Sequence, residues 1–107
     1  MFDLKWSASE KKIARKAYDR ALQAVLSKLL VEFKGRAASV DSASDMWEIE
    51  DYLRKARTDI DQVFDYRYSQ LPFVFARLIH EGHIDEGCLS GLSQEKLDLV
   101  RFLIERM

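Results

Sequence analysis

Apolar residues in the middle of this chain fall on one side of a helix. Between Asp45 and Asp65, Ile49, Leu53, Ala56, Ile60 and Val63 recur at spacings of four, three, four and three, with Met46, Tyr52 and Phe64 beside them. At about 3.6 residues per turn this keeps them on one line, so the spacing predicts a helix over 45–65 with that line as a core seam. The other side carries Asp51, Arg54, Thr58 and Asp65, and acid-to-base pairs four residues apart, Glu50 to Arg54 and Asp51 to Lys55, support an exposed face. Trp47 belongs to that polar side. Its ring is apolar surface in water unless something covers it, and Trp and Arg are enriched at binding hot spots. Trp47, Asp51 and Arg54, with Met46, are therefore read as a contact surface; the alternative is that a neighbouring helix of the same chain covers Trp47.

Three further helices follow from the same kind of pattern. Ser7 and Glu10 form a capping-box spacing, and Ala14, Ala17, Tyr18, Ala21, Leu22, Val25, Leu29 and Phe33 then recur at helical intervals, predicting a long first helix that runs to Lys34 and stops at Gly35. Lys12, Lys16 and Arg20 make a basic ridge outside its apolar face. Residues 35–44 are small and polar, a connecting loop ending in a cap at Ser42 or Ser44. Pro72 suits the first turn of a third helix, where its missing amide is not needed. Phe73, Val74, Phe75, Ala76, Leu78 and Ile79 cover nearly every direction of that helix, so it is either buried all round or partly offered to a partner, and Gly82 ends it. A turn at 84–91 precedes Ser93, the cap of a last helix with Leu97, Val100 and Leu103 or Ile104 as its stripe.

Composition agrees with this pattern. One proline and four glycines in 107 residues, 48% of which are hydrophobic, favour an all-α fold in one domain. The expected architecture is a small bundle of two long antiparallel helices plus shorter C-terminal helices, with residues 1–8 lacking fixed structure and 72–107 forming a head-like part. Cys88 has no partner within the chain, which fits a reducing, cytoplasmic setting. No apolar run approaches the roughly 20 residues of a membrane span, and no signal-peptide core is present. Charge is uneven: residues 1–36 hold nine Lys/Arg against four Asp/Glu, net +5, and residues 37–107 hold eight against fourteen, net −6. A solvated surface, a nucleic-acid patch on the first helix, or a basic element meeting acidic ones in an assembly all suit that asymmetry.

Candidate chemistry is sparse. His80, His83, Asp85, Glu86 and Cys88 lie within nine residues, but glycines at 82 and 87 interrupt the segment and the spacing matches no zinc pattern. No metal and no cofactor is expected. There is no Gly-rich phosphate loop and no nucleophile elbow, so the chain is expected not to be an enzyme.

Beyond these patterns, many positions together resemble the fluorescence recovery proteins of cyanobacteria and their bacterial relatives. They are Trp6-Ser7; Arg15, Lys16, Ala17, Tyr18, Arg20 and Leu22 in RKAYDRAL; Trp47, Asp51, Leu53, Arg57, Ile60, Asp61, Asp65, Arg67 and Ser69; and FVFARL with Glu81-Gly82. The resemblance implies an all-helical homodimer that binds the photoactivated orange carotenoid protein, speeds its return to the dark orange form and so ends quenching at the phycobilisome. It implies a cytoplasmic protein, peripheral to thylakoids in a cyanobacterial host, without a nucleic-acid partner. It places Trp47, Asp51 and Arg57 at positions tied to dimerisation and activity, and Phe73 in a head region tied to partner contact. Glu50, Leu99 and Pro72 depart from the family pattern, which has a His, a Lys and an apolar residue there. Three alternatives remain: the same fold serving another protein client, a small-molecule-binding regulator, and a nucleic-acid-binding dimer using the basic first helix.

Overall fold

A computed structural model describes residues 4–107 of the chain. Ser7 and Glu10 satisfy each other's backbone amides as a capping box and start α1 (Ala8–Ala38). Its 31 residues, at 1.5 Å each, make a rod of about 46 Å that sets the long dimension of the molecule, 54 × 23 × 22 Å. The expected stop at Gly35 is overridden: the helix continues through it to Ala38 and is capped at Ser39. A helical Gly costs about 1 kcal/mol relative to Ala. Contacts in the last turns offset this, with the Arg36 guanidinium 3.9 Å from the Tyr52 ring centre and the Tyr52 hydroxyl donating to Glu32 at 2.5 Å.

Ser42 caps α2 (Ala43–Val63), which begins and ends two residues before the expected range. Phe64 and Asp65 lie beyond its end, where the chain turns extended. The pairing of Arg36 with Tyr52, and of Val25 with Ile60 in one groove, shows that α1 and α2 run antiparallel. Gln70 precedes α3 (Leu71–His80), with Pro72 in the first turn; a short 3-10 turn (Glu86–Leu89) and α4 (Gln94–Glu105), capped by Ser93, complete the chain. Among the described residues there is no strand, and no helix is long and apolar enough to cross a membrane.

The core sits at one end. Ala14, Ala17, Tyr18 and Ala21 of α1 pack with Leu71, Phe75 and Leu78 of α3, Leu89 of the 3-10 turn and Val100 of α4. Small alanines let α1 approach α3 and the 3-10 turn, and full burial of Phe75 or Leu78 contributes about 1.5–3 kcal/mol each. Tyr18 meets Phe64 and Tyr66 edge-on at 5.3 and 4.8 Å, and Trp6 stacks near Tyr68 at 5.5 Å, so the link after α2 is pinned by aromatics. Of the stretch 1–8, residues 1–3 lie outside those described, while Trp6 and Ser7 are held by these contacts.

The other end has no finished core. No residue of α1 after Ala21 and none of α2 is buried. The expected seam of Ile49, Leu53, Ala56, Ile60 and Val63 is only half-buried against α1, because two helices alone can cover one strip of each other.

Candidate functional site

The α1–α2 arm carries the residues singled out for contact. Trp47 and Asp51, then Arg54, follow at spacings of four and three on one line of α2; Met46, Leu53 and Arg57 form the neighbouring line. Trp47 is 62% exposed, so no helix of the same chain covers it, and Met46 is exposed beside it. Leu53 continues this surface onto α1, where it joins Leu26, Leu29, Leu30 and Phe33 around an entirely apolar depression of about 230 Å³. Val31, 71% exposed, lies on the opposite side of α1 from this depression. The helical spacing from Ala14 to Phe33 does not single out Leu26, Leu30 and Val31, which interrupt the polar face of α1.

Charged members of the surface differ in their ties. Arg54 pairs with Glu50 and stands 3.7 Å from Asp51, and all three are exposed. Asp51 thus turns toward Arg54 instead of the expected Lys55. Exposed pairs of this kind contribute about 0–1 kcal/mol, so they shape the surface more than they stabilise it. Arg57 is exposed and makes no ion pair or ring contact among the described residues. The hydrogen bond to Glu32, with burial second, raises the Tyr52 phenol above its usual range and keeps it a donor between the two helices.

Phe73 stands apart from this set, on α3 of the head. It is 39% exposed while Leu71, Pro72, Val74 and Phe75 around it are buried. One turn on, Arg77 pairs with Glu81 at 2.9 Å. Glu50 and Leu99, the family departures, are exposed and half-buried respectively, and Pro72 is buried at the start of α3.

The cluster of potential ligands after α3 is spread out. His83 faces Glu81 at 3.5 Å, Glu86 accepts from Arg101 at 2.5 Å, and His80 is exposed. Among the described residues no three His, Cys, Asp or Glu side chains converge on a point where a metal could sit. The arrangement that remains is an apolar depression between α1 and α2, with Trp47 and the charged group of Glu50, Asp51 and Arg54 beside it on α2.

The family model described as photoprotection regulator fluorescence recovery protein matches residues 6–104. The fluorescence recovery protein of Synechocystis sp. PCC 6803 is 32% identical over 98 residues, covering 92% of this chain and 90% of that protein. The solved structure of the Fremyella diplosiphon fluorescence recovery protein superposes with a TM-score of 0.88 at 34% identity, over 96% of this chain and 100% of that one. The Synechocystis structure gives 0.88 at 31% identity with the same coverage. The chain belongs to the family of the photoprotection regulator fluorescence recovery protein.

Proposed function

We propose that the protein is a non-enzymatic regulator that works as a homodimer, binds the photoactivated orange carotenoid protein and accelerates its return to the dark orange form. The observation that carries the reading is the unfinished arm: nearly half the chain has no fully buried residue, and Trp47, Met46, Leu26 and Leu30 stand exposed on it. A contiguous apolar face of that kind marks an interface. A second copy placed on it would complete the core that α1 and α2 begin, leaving the head with Phe73 for the client.

The physical action follows from differential affinity. A regulator that binds one conformation of its client more tightly shifts the equilibrium toward it, and it speeds interconversion only where it binds the transition state more tightly still. No covalent chemistry is required of any residue, and neither cofactor nor metal enters.

Mixing the protein with the orange carotenoid protein in light and in darkness, followed by sizing with light scattering, tests this. Co-migration with the photoactivated form and weaker association with the dark form are expected. Equal affinity for both forms, or for neither, would remove the reading.

A further inference from the structure

The basic ridge of α1 is not used by the reading above, and its surroundings give it a shape. Ile13, Lys16, Ala17 and Arg20, at spacings of three, one and three, form one wall of a cleft of about 290 Å³; Gly87 and Cys88 of the 3-10 turn and Ser90 just after it form the other. Gly91 packs close against the α1 wall, since a side chain there would meet the Ile13 Cδ1 atom at 2.6 Å. The floor is aliphatic and the lip is cationic.

Like Lys12 and Arg57, Lys16 and Arg20 make no ion pair among the described residues, whereas Arg15, Arg54, Arg67, Arg77 and Arg101 each pair with a carboxylate. Two acids of the neighbouring segments are engaged elsewhere, Asp19 by Arg15 at 3.0 Å and Glu86 by Arg101 at 2.5 Å, while the Asp85 carboxylate lies beside Gly87. Lys12, one turn before Lys16, continues the row along the exposed side of α1.

We propose that this cleft seats an acidic segment of the client protein, an apolar side chain entering between α1 and the 3-10 turn while flanking carboxylates pair with Lys16 and Arg20. The proposal rests on the client reading above and adds a second contact to it. Lys16 and Arg20 stand one turn apart, about 6 Å. Carboxylates at i and i+4 of a partner helix, or two residues apart on an extended strand at about 7 Å, match that spacing. Exposed cations bind an isolated small anion weakly because water screens them, so an occupant needs several charges together with an apolar anchor, as a peptide has. Nucleic acid fits less well: the cleft lining holds no aromatic ring and so offers no stacking platform, and the aromatic row of Trp6, Tyr66 and Tyr68 is itself covered by Lys96, Arg15 and Lys11.

The test has two arms. In the first, affinity for the photoactivated orange carotenoid protein is measured for the protein and for a Lys16→Glu/Arg20→Glu variant whose melting temperature and dimer mass are checked. A loss of tenfold or more that shrinks as salt rises is expected, with Lys16→Ala/Arg20→Ala intermediate; affinity kept within twofold overturns the proposal. In the second, a fluorescein-labelled peptide of alternating Glu and Leu is titrated without any client. Binding lost in the charge-reversed variant is expected, and equal or absent binding overturns the cleft as an acidic-segment seat. If the peptide binds through Lys16 and Arg20 while the carotenoid protein does not bind at all, the client reading fails and the cleft stands. Tighter binding of a DNA duplex than of the peptide at matched salt, or a changed dimer dissociation constant in the variant, assigns the ridge elsewhere and also overturns the proposal.

Discussion

Lys96 Nζ lies 3.1 Å from Glu10 Oε2, a buried ion pair between the first turns of α4 and α1, 86 residues apart. The carboxylate also accepts from the backbone amides of Ser7 at 3.0 Å and Ser93 at 2.8 Å, and Lys96 donates to the Lys5 carbonyl at 2.6 Å while its ammonium sits 4.9 Å from the Trp6 ring. With every oxygen and most protons satisfied, the desolvation cost of the pair is offset, and the N-terminal segment is fastened to the head.

Removing one partner leaves the other charge buried. Lys96→Met is expected to lower unfolding free energy by about 3–5 kcal/mol, measured in urea, and Lys96→Met/Glu10→Met by much less than the sum of the single changes. Additive losses would show that the two groups do not act as a pair.

The same carboxylate sets an acid limit. The Ser7 amide, opposed by burial and aided by Ser93 and Lys96, holds Glu10 at about 2 against its usual 4.5. A depressed carboxylate stabilises the fold above its unfolded value, and that contribution is lost as pH falls toward the folded one. A decline of about 2–3 kcal/mol between roughly pH 5 and pH 2 is therefore expected. Glu10→Gln should flatten the profile in that window; an unchanged slope would place the acid sensitivity in other groups.

Gly91 adopts φ +101°, and its missing side chain makes room for Ile13. Gly91→Ala combines backbone strain with that clash and is expected to cost about 1–3 kcal/mol. Thermal unfolding checks it, and Ile13→Val in the same background should recover part of the loss.

Much of this was readable from spacing. The four helices, the Ser7, Ser42 and Ser93 caps, Pro72 at the start of α3 and the exposed side of α2 all follow from local rules that this chain obeys. Two features did not, because distant parts of the chain decide them. The capping box explains Glu10 locally, and nothing in the sequence says that its second oxygen meets Lys96, a residue that reads as surface. The line through Ile49, Leu53 and Ile60 looks like any core seam; that it lacks a covering layer depends on the head packing at only one end of α1. Gly35 shows the opposite case, a local stop overridden by Arg36 and Glu32 against Tyr52. Of the residues read as a contact surface, Trp47, Asp51 and Arg54 follow from periodicity, Phe73 from the apolar pattern of its helix together with the family resemblance, and Arg57 from the resemblance alone.

The uncovered arm predicts self-association. Light scattering at micromolar concentration should give twice the 12.5 kDa of the chain. Trp47→Ala should weaken the dimer by about 2 kcal/mol or more, as truncation of a hot-spot Trp does. A monomeric mass, or an unchanged dissociation constant in the variant, would remove the arm as the interface.

The scattered ligands after α3 predict indifference to metal. Dialysed protein is expected to hold less than stoichiometric zinc, and chelator should leave its melting temperature unchanged. Equimolar zinc whose removal unfolds the chain would contradict this, since structural zinc contributes directly to folding free energy.

The most direct measurement follows the dark relaxation of photoactivated orange carotenoid protein by absorbance, with the protein added below stoichiometry. Relaxation is expected to accelerate in proportion to added protein. Phe73→Ala, with melting temperature and dimer mass retained, is expected to lose most of the effect, since truncating an interface aromatic costs about 2–4 kcal/mol. Relaxation at the same rate with and without the protein would contradict the proposed function.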